Sequence, residues 1–391
     1  MRLKTLATHP VWREPRTVFG VWMLTGVIFA IVKLLIGKYN NYKIFEGVYW
    51  HAIEGLTLYG DHYPEYYDSN HYGVLFSLII APFALLPEWL GMILWIAGNT
   101  ALLFYAISRL PLSSTPKIII YWYSYCELMT AQGVQQFNIS VAAFILLSFV
   151  LILEKKDFWA AGIIMLGTFI KIYPIVGLAF FFFSRRLLVS CLFWGLVCFV
   201  IPVLYTPGFE YVISQYIDWF ERLKMKNMLN MFADPQNISL LGVVRKISGN
   251  AEYSDMWLII PGLILFCIPY LRISQYKYLA FRFMLLANVL LFVVLFSTGS
   301  EASGYIIAMI GAAIWYICSV SPHKKYTYWL WIATLVIVGL STTELVPSIV
   351  RNGLIRPYVI KAWPCIVVWL TICYEMCFLD FSHSPYKHIT T

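Results

Sequence analysis

The chain has 391 residues, of which 60% are hydrophobic and only 12% are charged. So few charged side chains cannot cover the surface of a water-soluble domain, and the composition therefore predicts a polytopic membrane protein. The net charge of +8 is typical of a helical membrane protein with basic cytoplasmic loops. Because no basic cluster is dense, we expect no nucleic-acid partner.

Apolar segments recur along the whole chain and predict an all-α fold with about twelve transmembrane helices in a single domain, 1–391. Basic residues precede the first span, so the positive-inside rule places the amino terminus in the cytoplasm. These basic residues are Arg2, Lys4, Arg13 and Arg16. The same rule places the loops around Lys155 and Arg185 in the cytoplasm. The predicted spans are 18–36, 89–108, 118–130, 141–153, 158–170, 172–183, 187–204, 256–270, 278–296, 305–320, 328–340 and 358–378.

The segment 38–87 is polar and aromatic in an otherwise apolar chain, and long polar loops of this kind are often functional. Its part 44–55 has apolar residues at helical spacing and predicts a helix on the membrane surface. Its part 73–86 is too short to span and predicts a re-entrant segment. We therefore interpret 38–87 as the first outer loop, which carries the catalytic residues, and 205–254 as a second long outer loop. The acids and histidines of the first outer loop are Glu46, Glu54, Asp61, Glu65, Asp68, His51, His62 and His71.

The sequence FIKIYP places Lys171 between two apolar half-helices, where the bilayer makes an unpaired cation costly. A lysine in this position requires an anion. Two alternatives are that the side chain extends to the interface or pairs with a carboxylate of the protein.

Asp68 is the preferred general base among the acids of the first outer loop. It lies in DSNHYG, directly before the predicted re-entrant segment, where we expect the chain to dip toward the bilayer and exclude water. His71 is expected to hold the carboxylate in place. Glu46 and Glu54 are the reserve candidates, because the surface helix can present either of them to the same cavity. Tyr72 is of the type that stacks on a sugar ring, although a membrane-interface belt uses the same residue.

Polar residues interrupt apolar stretches at three further places. In AQGVQQFNIS, Gln136 and Asn138 supply amides that suit sugar hydroxyls or phosphate oxygens and serve equally well as helix caps. NIS recurs at Asn237, and Arg245 follows one to two helical turns later. Glu301 lies at a predicted helix start, where capping is the expected role.

The eight cysteines all fall in apolar segments, so we expect small buried hydrophobic residues rather than a disulfide framework or a zinc site. Cys373 and Cys377 are one helical turn apart and would make half a metal site, but no histidine or acid joins them at ligand spacing.

Five elements occur in a fixed order over roughly 18–305: NYKIFEGVYWHAIEGLTLY, HYGVLFSLIIAPFALLP, QGVQQFN, KIYP and NISLLGVVR. Their order and spacing resemble glycosyltransferase family 87 of the GT-C superfamily, which is similar to polyprenol-phosphate-mannose-dependent alpha-mannosyltransferases. The chain departs from the family pattern at two places. Asn41 occupies the position of the family's aspartate, and an amide cannot act as a base. Gly73 and Val74 replace a Pro-Pro pair, and Asp68 takes the role of the base by elimination.

The resemblance implies a GT-C-like fold and a hexosyltransferase that moves a sugar, mannose in the similar enzymes, from a polyprenyl-phosphate donor to a hydroxyl of a glycan or glycolipid acceptor. It implies that Lys171 and Arg245 hold the donor phosphate. It implies no cofactor and no metal, although a divalent ion is left open. The expected location is a bacterial inner (plasma) membrane, with the active site facing the periplasm. The residues expected to contact the sugar or acceptor are Asn41, His71, Tyr72, Gln136, Asn138, Asn237 and Glu301.

Two other classes of membrane protein fit parts of this pattern. A transporter or flippase of lipid-linked sugar would also place a lysine and amides at mid-membrane, but it should show two similar halves, and the sequence has no internal repeat. A polysaccharide polymerase or ligase would also have one large outer loop, but its signature would be arginines rather than acids at the acceptor.

Overall fold

The computed structural model describes residues 9–184, 186–233, 236–250 and 252–386. The prediction of an all-α fold is confirmed, because 75% of the structure is helical and no strand occurs in these ranges. Arg2, Lys4 and Arg185, on which part of the predicted orientation depends, lie outside the described residues. The chain divides into two compact units, Met1–Lys224 and Met225–Thr391.

The first unit is built around one buried helix, α6. Nearly every residue of α6 is buried, and it packs against α4, α7 and a 3-10 helix at Tyr173–Phe183. The helices of this unit are α1 (Pro15–Leu35), α2 (Asn40–Glu54), α3 (Phe76–Ala84), α4 (Glu88–Ser108), α5 (Ser114–Gly133), α6 (Asn138–Leu153), α7 (Asp157–Ile170), α8 (Arg186–Val200) and α9 (Phe209–Asn230), the last of which continues past the unit boundary.

The two predicted special segments of the first outer loop are both helical. The surface helix predicted at 44–55 corresponds to α2, which ends where Gly55 adopts a left-handed φ of 74°. The predicted re-entrant segment corresponds to α3, which has nine residues. At ~1.5 Å per residue, α3 is far shorter than the ~30 Å hydrocarbon core of a bilayer.

The second unit has its core in α12 and α13, in which almost every side chain is buried. These two helices pack against each other, α15 packs against both, and α14 packs against α13 and α15. The helices of nine or more residues in this unit are α10 (Leu240–Ser248), α11 (Met256–Cys267), α12 (Leu279–Leu295), α13 (Tyr305–Cys318), α14 (Lys324–Ser341) and α15 (Trp363–Phe378).

Large apolar side chains cover the outer surfaces of several helices, which is typical of a surface in contact with lipid. On α8, for example, Val189, Leu192 and Leu196 are all exposed. In the described part of the chain, four helical segments are long and apolar enough to cross a membrane, and six shorter ones are also apolar. The predicted number of about twelve crossings stays a prediction. The four long segments are Pro15–Leu35, Glu88–Ser108, Arg186–Leu204 and Ile360–Phe378.

Candidate active site

The turn that joins α5 to α6 is the centre of the candidate site in the first unit. Gln135 adopts a left-handed φ of 54° in this turn, which lets the chain reverse within a few residues. The indole of Trp95 on α4 donates a hydrogen bond of 3.1 Å to the Gln135 carbonyl. The turn is thus fixed to a buried helix, and Gln136 and Asn138 follow it directly or within three residues.

Three segments that are distant in sequence each make a hydrogen bond to this turn. The Asn41 amide donates to the Val134 carbonyl at 2.8 Å. The Tyr72 hydroxyl donates to Gln136 Oε1, and the Lys171 ammonium donates to Asn138 Oδ1, both also at 2.8 Å. Five of the residues predicted from the sequence therefore converge on one turn. They are Asn41, Tyr72, Gln136, Asn138 and Lys171.

Lys171 lies at the point where α7 ends and the backbone becomes extended, with φ −149° and ψ 112°. A cation is favourable there, because the carboxyl end of a helix carries a partial negative charge. Its Nζ also lies 5.2 Å from the ring centroid of Tyr72 and 5.4 Å from that of Tyr173. An amide oxygen and two aromatic faces thus orient the ammonium.

Gly73 explains physically why the Pro-Pro pair of the family is absent here. Its N–H donates to the Ile170 carbonyl at 2.9 Å, a bond that proline cannot make. A Cβ at this position would lie 2.1 Å from the Phe169 carbonyl oxygen. The glycine therefore lets the loop lie directly against the end of α7, which brings Tyr72 next to Lys171.

Asn70 is a site residue that the sequence reasoning missed. It is completely buried, and its side chain bonds both the N–H and the carbonyl of Tyr72 at 2.9 Å. The indole of Trp219 on α9 donates to the His71 carbonyl at 2.9 Å. The sequence does contain a sign of this role of Asn70. In the DSNHYG segment, Asp, Ser and Asn are residue types whose side chains commonly bond the nearby backbone.

Asp68 does not lie in a water-excluded position, so the expectation that the chain buries it is wrong. Its side chain is 54% exposed, and its φ of 68° is left-handed. Its Oδ1 accepts the Ser69 N–H at 2.8 Å and lies 3.5 Å from Nη2 of Arg222 on α9. Arg222 is a neighbour that the sequence did not predict. An exposed ion pair of this length contributes little to stability, and the carboxylate stays accessible to an acceptor.

The start of α2 fixes the position of Asp68 in the loop. Asn40 bonds both backbone groups of Tyr67, with its Oδ1 2.8 Å from the N–H and its Nδ2 2.5 Å from the carbonyl oxygen. Asp68 therefore follows a residue held by Asn40, and the next residue of α2 is Asn41, the predicted counterpart of the family's aspartate. The loop that carries Asp68 is thus attached to the first residue of α2.

The two reserve acids differ in their environments. Burial raises the pKa of Glu46, and the negative charges of Glu88 and Glu65 raise it further, against a smaller opposing effect of Lys43. Glu54 lies exposed at the end of α2. Of the two, Glu46 has the environment that moves a carboxyl group toward a neutral-pH acid–base role.

In the second unit, the NISLLGVVR element forms a tight entry into α10. Asn237 is buried with a left-handed φ of 54°, and its Oδ1 accepts the Ser239 hydroxyl at 2.7 Å. The Ser239 oxygen in turn accepts the Gly242 N–H at 3.0 Å and caps the helix. A Cβ at Gly242 would lie 1.7 Å from the Asn237 carbonyl oxygen. This geometry gives Asn237 a structural role, and its predicted contact with a sugar stays a prediction.

Arg245 is almost completely buried on α10. Its Nη2 donates to Asp255 Oδ1 at 2.8 Å and to the Tyr253 carbonyl at 3.0 Å, and the guanidinium stacks on the Tyr253 ring at 4.3 Å. Phosphate binding by Arg245 stays a prediction, and it would require this buried ion pair to open. Glu301 precedes a short 3-10 helix and accepts the Ser303 hydroxyl at 2.9 Å rather than a backbone N–H.

A family model for glycosyltransferase family 87 matches residues 70–298, which is more than half of the chain. The chain belongs to glycosyltransferase family 87. The resemblance inferred from the five sequence elements is therefore confirmed. No match was found among curated proteins.

Membership of family 87, together with the apolar helices, makes this chain a membrane-integral glycosyltransferase. The matched region begins at Asn70 and includes Tyr72, Gln136, Asn138 and Lys171, so most of the turn-centred site lies within the family segment. The first helix of the outer loop, with Asn41 and Glu46, precedes it, as does Asp68.

Proposed function

We propose that this glycosyltransferase moves a sugar from a polyprenyl-phosphate donor to a hydroxyl of a glycan or glycolipid acceptor. The observation that carries the proposal is the placement of Lys171. Its ammonium lies at a helix end in an apolar chain, held by Asn138 and two tyrosine rings. A cation oriented in this way suits a lipid-linked phosphate. The resemblance to mannosyltransferases supports mannose as the sugar.

The site residues fit a single displacement at the anomeric carbon. The bond from that carbon to the phosphate oxygen breaks, and the negative charge that develops on the leaving phosphate is stabilised by Lys171. The amides of Gln136 and Asn138 and the hydroxyl of Tyr72 supply hydrogen-bonding groups for the sugar and phosphate oxygens. The acceptor hydroxyl forms the new bond and gives its proton to Asp68.

An apolar groove on α9 supports the lipid nature of the donor. It has a volume of about 350 Å³ and is lined by Phe199, Ile213, Tyr216, Ile217, Phe220 and Glu221. Trp219 lies on the same helix and bonds the His71 carbonyl, so one helix contacts both the groove and the loop of the site. The groove lies near the end of α7, because the ring centroid of its Tyr216 is 5.8 Å from that of Phe169.

The donor class is tested with the purified full-length protein in liposomes. We expect transfer of labelled sugar from a polyprenyl-phosphate donor to a glycolipid acceptor, and no transfer from a nucleotide sugar. Transfer from the nucleotide sugar alone would contradict the proposal. Movement of the labelled lipid across the bilayer without a new glycosidic bond would instead indicate a flippase.

We further propose that the site faces the periplasm, across a bacterial inner membrane. The basic loops around Lys155 would then be cytoplasmic. In intact cells, a membrane-impermeant maleimide should label an Asp61→Cys variant, whose position is exposed in the first outer loop, and should not label Lys155→Cys until the cells are opened. The unsubstituted chain controls for the native cysteines. Equal labelling of both variants in intact cells would contradict this orientation.

A further inference from the structure

His51, His62 and Glu65 form a cluster between α2 and the loop that follows it. Each side chain offers one ligand atom, and these atoms all lie within 4.8 Å of one another. His51 is buried on α2, while the other two residues come from the loop that follows. His51 Nε2 lies 3.0 Å from Glu65 Oε2, and the imidazole rings of His51 and His62 stack with their centroids 3.8 Å apart.

The dimensions of the cluster fit a small divalent ion. Ligand atoms about 2.0–2.1 Å from a tetrahedral zinc are ~3.3 Å apart. The separation of His51 Nε2 and Glu65 Oε2 is already close to this value. All ligand atoms of the cluster lie within 4.8 Å of one another, and a rotation of the half-exposed Glu65 side chain can bring its carboxylate closer to the histidines. Three protein ligands leave the fourth position to water.

Each histidine has a further polar neighbour outside the cluster, and that of His62 is a backbone carbonyl, as is common for metal-bound histidines. His62 Nε2 lies 2.8 Å from the Thr57 carbonyl oxygen, so this nitrogen carries the proton and leaves Nδ1 for an ion. His51 Nδ1 lies 3.4 Å from the Tyr66 hydroxyl, and Nε2 is the nitrogen that faces Glu65. The rings are therefore oriented by partners outside the cluster.

The surroundings of the cluster favour a cation. Gly47 brings the loop against α2, because a Cβ there would lie 2.7 Å from the Tyr66 ring and 3.1 Å from Glu65 Oε1. Glu46, at the position before Gly47, interacts electrostatically with Glu65. A second carboxyl group therefore adds to the local negative potential.

We propose that His51, His62 and Glu65 bind one divalent ion of the zinc class, which clamps residues 62–65 onto α2. This inference revises the expectation of no metal. The loop positions concerned end three residues before Asp68, so the clamp would fix the segment that carries the proposed base. That consequence rests on the proposed function, whereas the binding of the ion does not.

The test uses the full-length protein in detergent, stripped with a chelator and then titrated with zinc. We expect one zinc per chain by elemental analysis after dialysis. His62→Gln and Glu65→Gln should each weaken zinc binding about tenfold or more, since even outer-shell changes weaken metal sites by roughly that factor. His383→Gln and Glu210→Gln, both at exposed positions, are the matched controls and should bind zinc like the unsubstituted protein.

A second measurement uses the unsubstituted protein and does not depend on the folding of a variant. Zinc should protect His62 from modification by diethyl pyrocarbonate, and it should leave the exposed His383 as reactive as before. Zinc binding below one ion per chain with no protection of His62 would show that the cluster is only an ion pair of His51 with Glu65, and would overturn the proposal. Neither measurement involves sugar transfer, so failure here is distinct from failure of the proposed function.

Discussion

An Asp68→Asn variant is expected to lose roughly a hundredfold or more of turnover while it keeps its affinity for the donor. The acceptor hydroxyl must lose its proton as it attacks, and an amide cannot take it. The substitution removes the acid–base group but keeps the size of the side chain and its bond to the Ser69 N–H. Turnover is measured with a labelled polyprenyl-phosphate sugar, and donor affinity by a separate binding assay.

The variants Glu46→Gln and Asn41→Ala are the informative controls. The Asn41 amide donates to the Val134 carbonyl. Its removal should therefore shift the turn and lower turnover less than the Asp68→Asn substitution does. If Asp68→Asn turns over normally and Glu46→Gln abolishes turnover, the base lies on α2. The pH–rate profile would support a base on α2 if activity is lost, on acidification, at a higher pH than expected for an ordinary carboxyl group, because burial raises the pKa of Glu46.

A Lys171→Ala variant is expected to bind the polyprenyl-phosphate sugar about tenfold to a hundredfold more weakly, because a hydrogen bond to a charged group contributes roughly 1.5–3 kcal/mol. The cation at the end of α7 is lost, whereas the turn that carries Asn138 remains fixed by Trp95. Lys171→Arg should retain part of the affinity, because the charge remains while the geometry changes. Equilibrium binding of the labelled donor measures both effects.

Lys117→Ala is the matched control for the loss of a positive charge. This lysine lies in the first turn of α5 and donates to the Ser108 carbonyl at 2.6 Å, at an end of the helix that the charge pattern places in the cytoplasm. Its replacement should leave donor affinity unchanged. If the folded Lys171→Ala and Lys117→Ala variants bind the donor equally well, Lys171 does not bind the donor phosphate. Size-exclusion elution checks that both variants are folded.

The helices were predictable because the apolar segments have the length and the residue spacing of membrane helices. Their ends were less predictable. The segment 172–183 was expected to be a spanning helix, but it forms a 3-10 helix at Tyr173–Phe183. The backbone of Lys171, directly before this segment, is extended, so α7 ends there, and Pro174 lies in the first turn of the new helix, where its missing N–H has no cost.

The sequence by itself determined the membrane class, the helical fold, the family and the identity of the polar residues that interrupt apolar segments, because each follows from local composition or from a short ordered pattern. Only the tertiary structure decided which of these residues meet. The turn before Asn138 gathers Tyr72 and Lys171, while Asp68 pairs with Arg222 and Arg245 pairs with Asp255. A short-range pattern specifies what a side chain can do, whereas its partner and its exposure depend on the packing of helices that lie far apart in the chain.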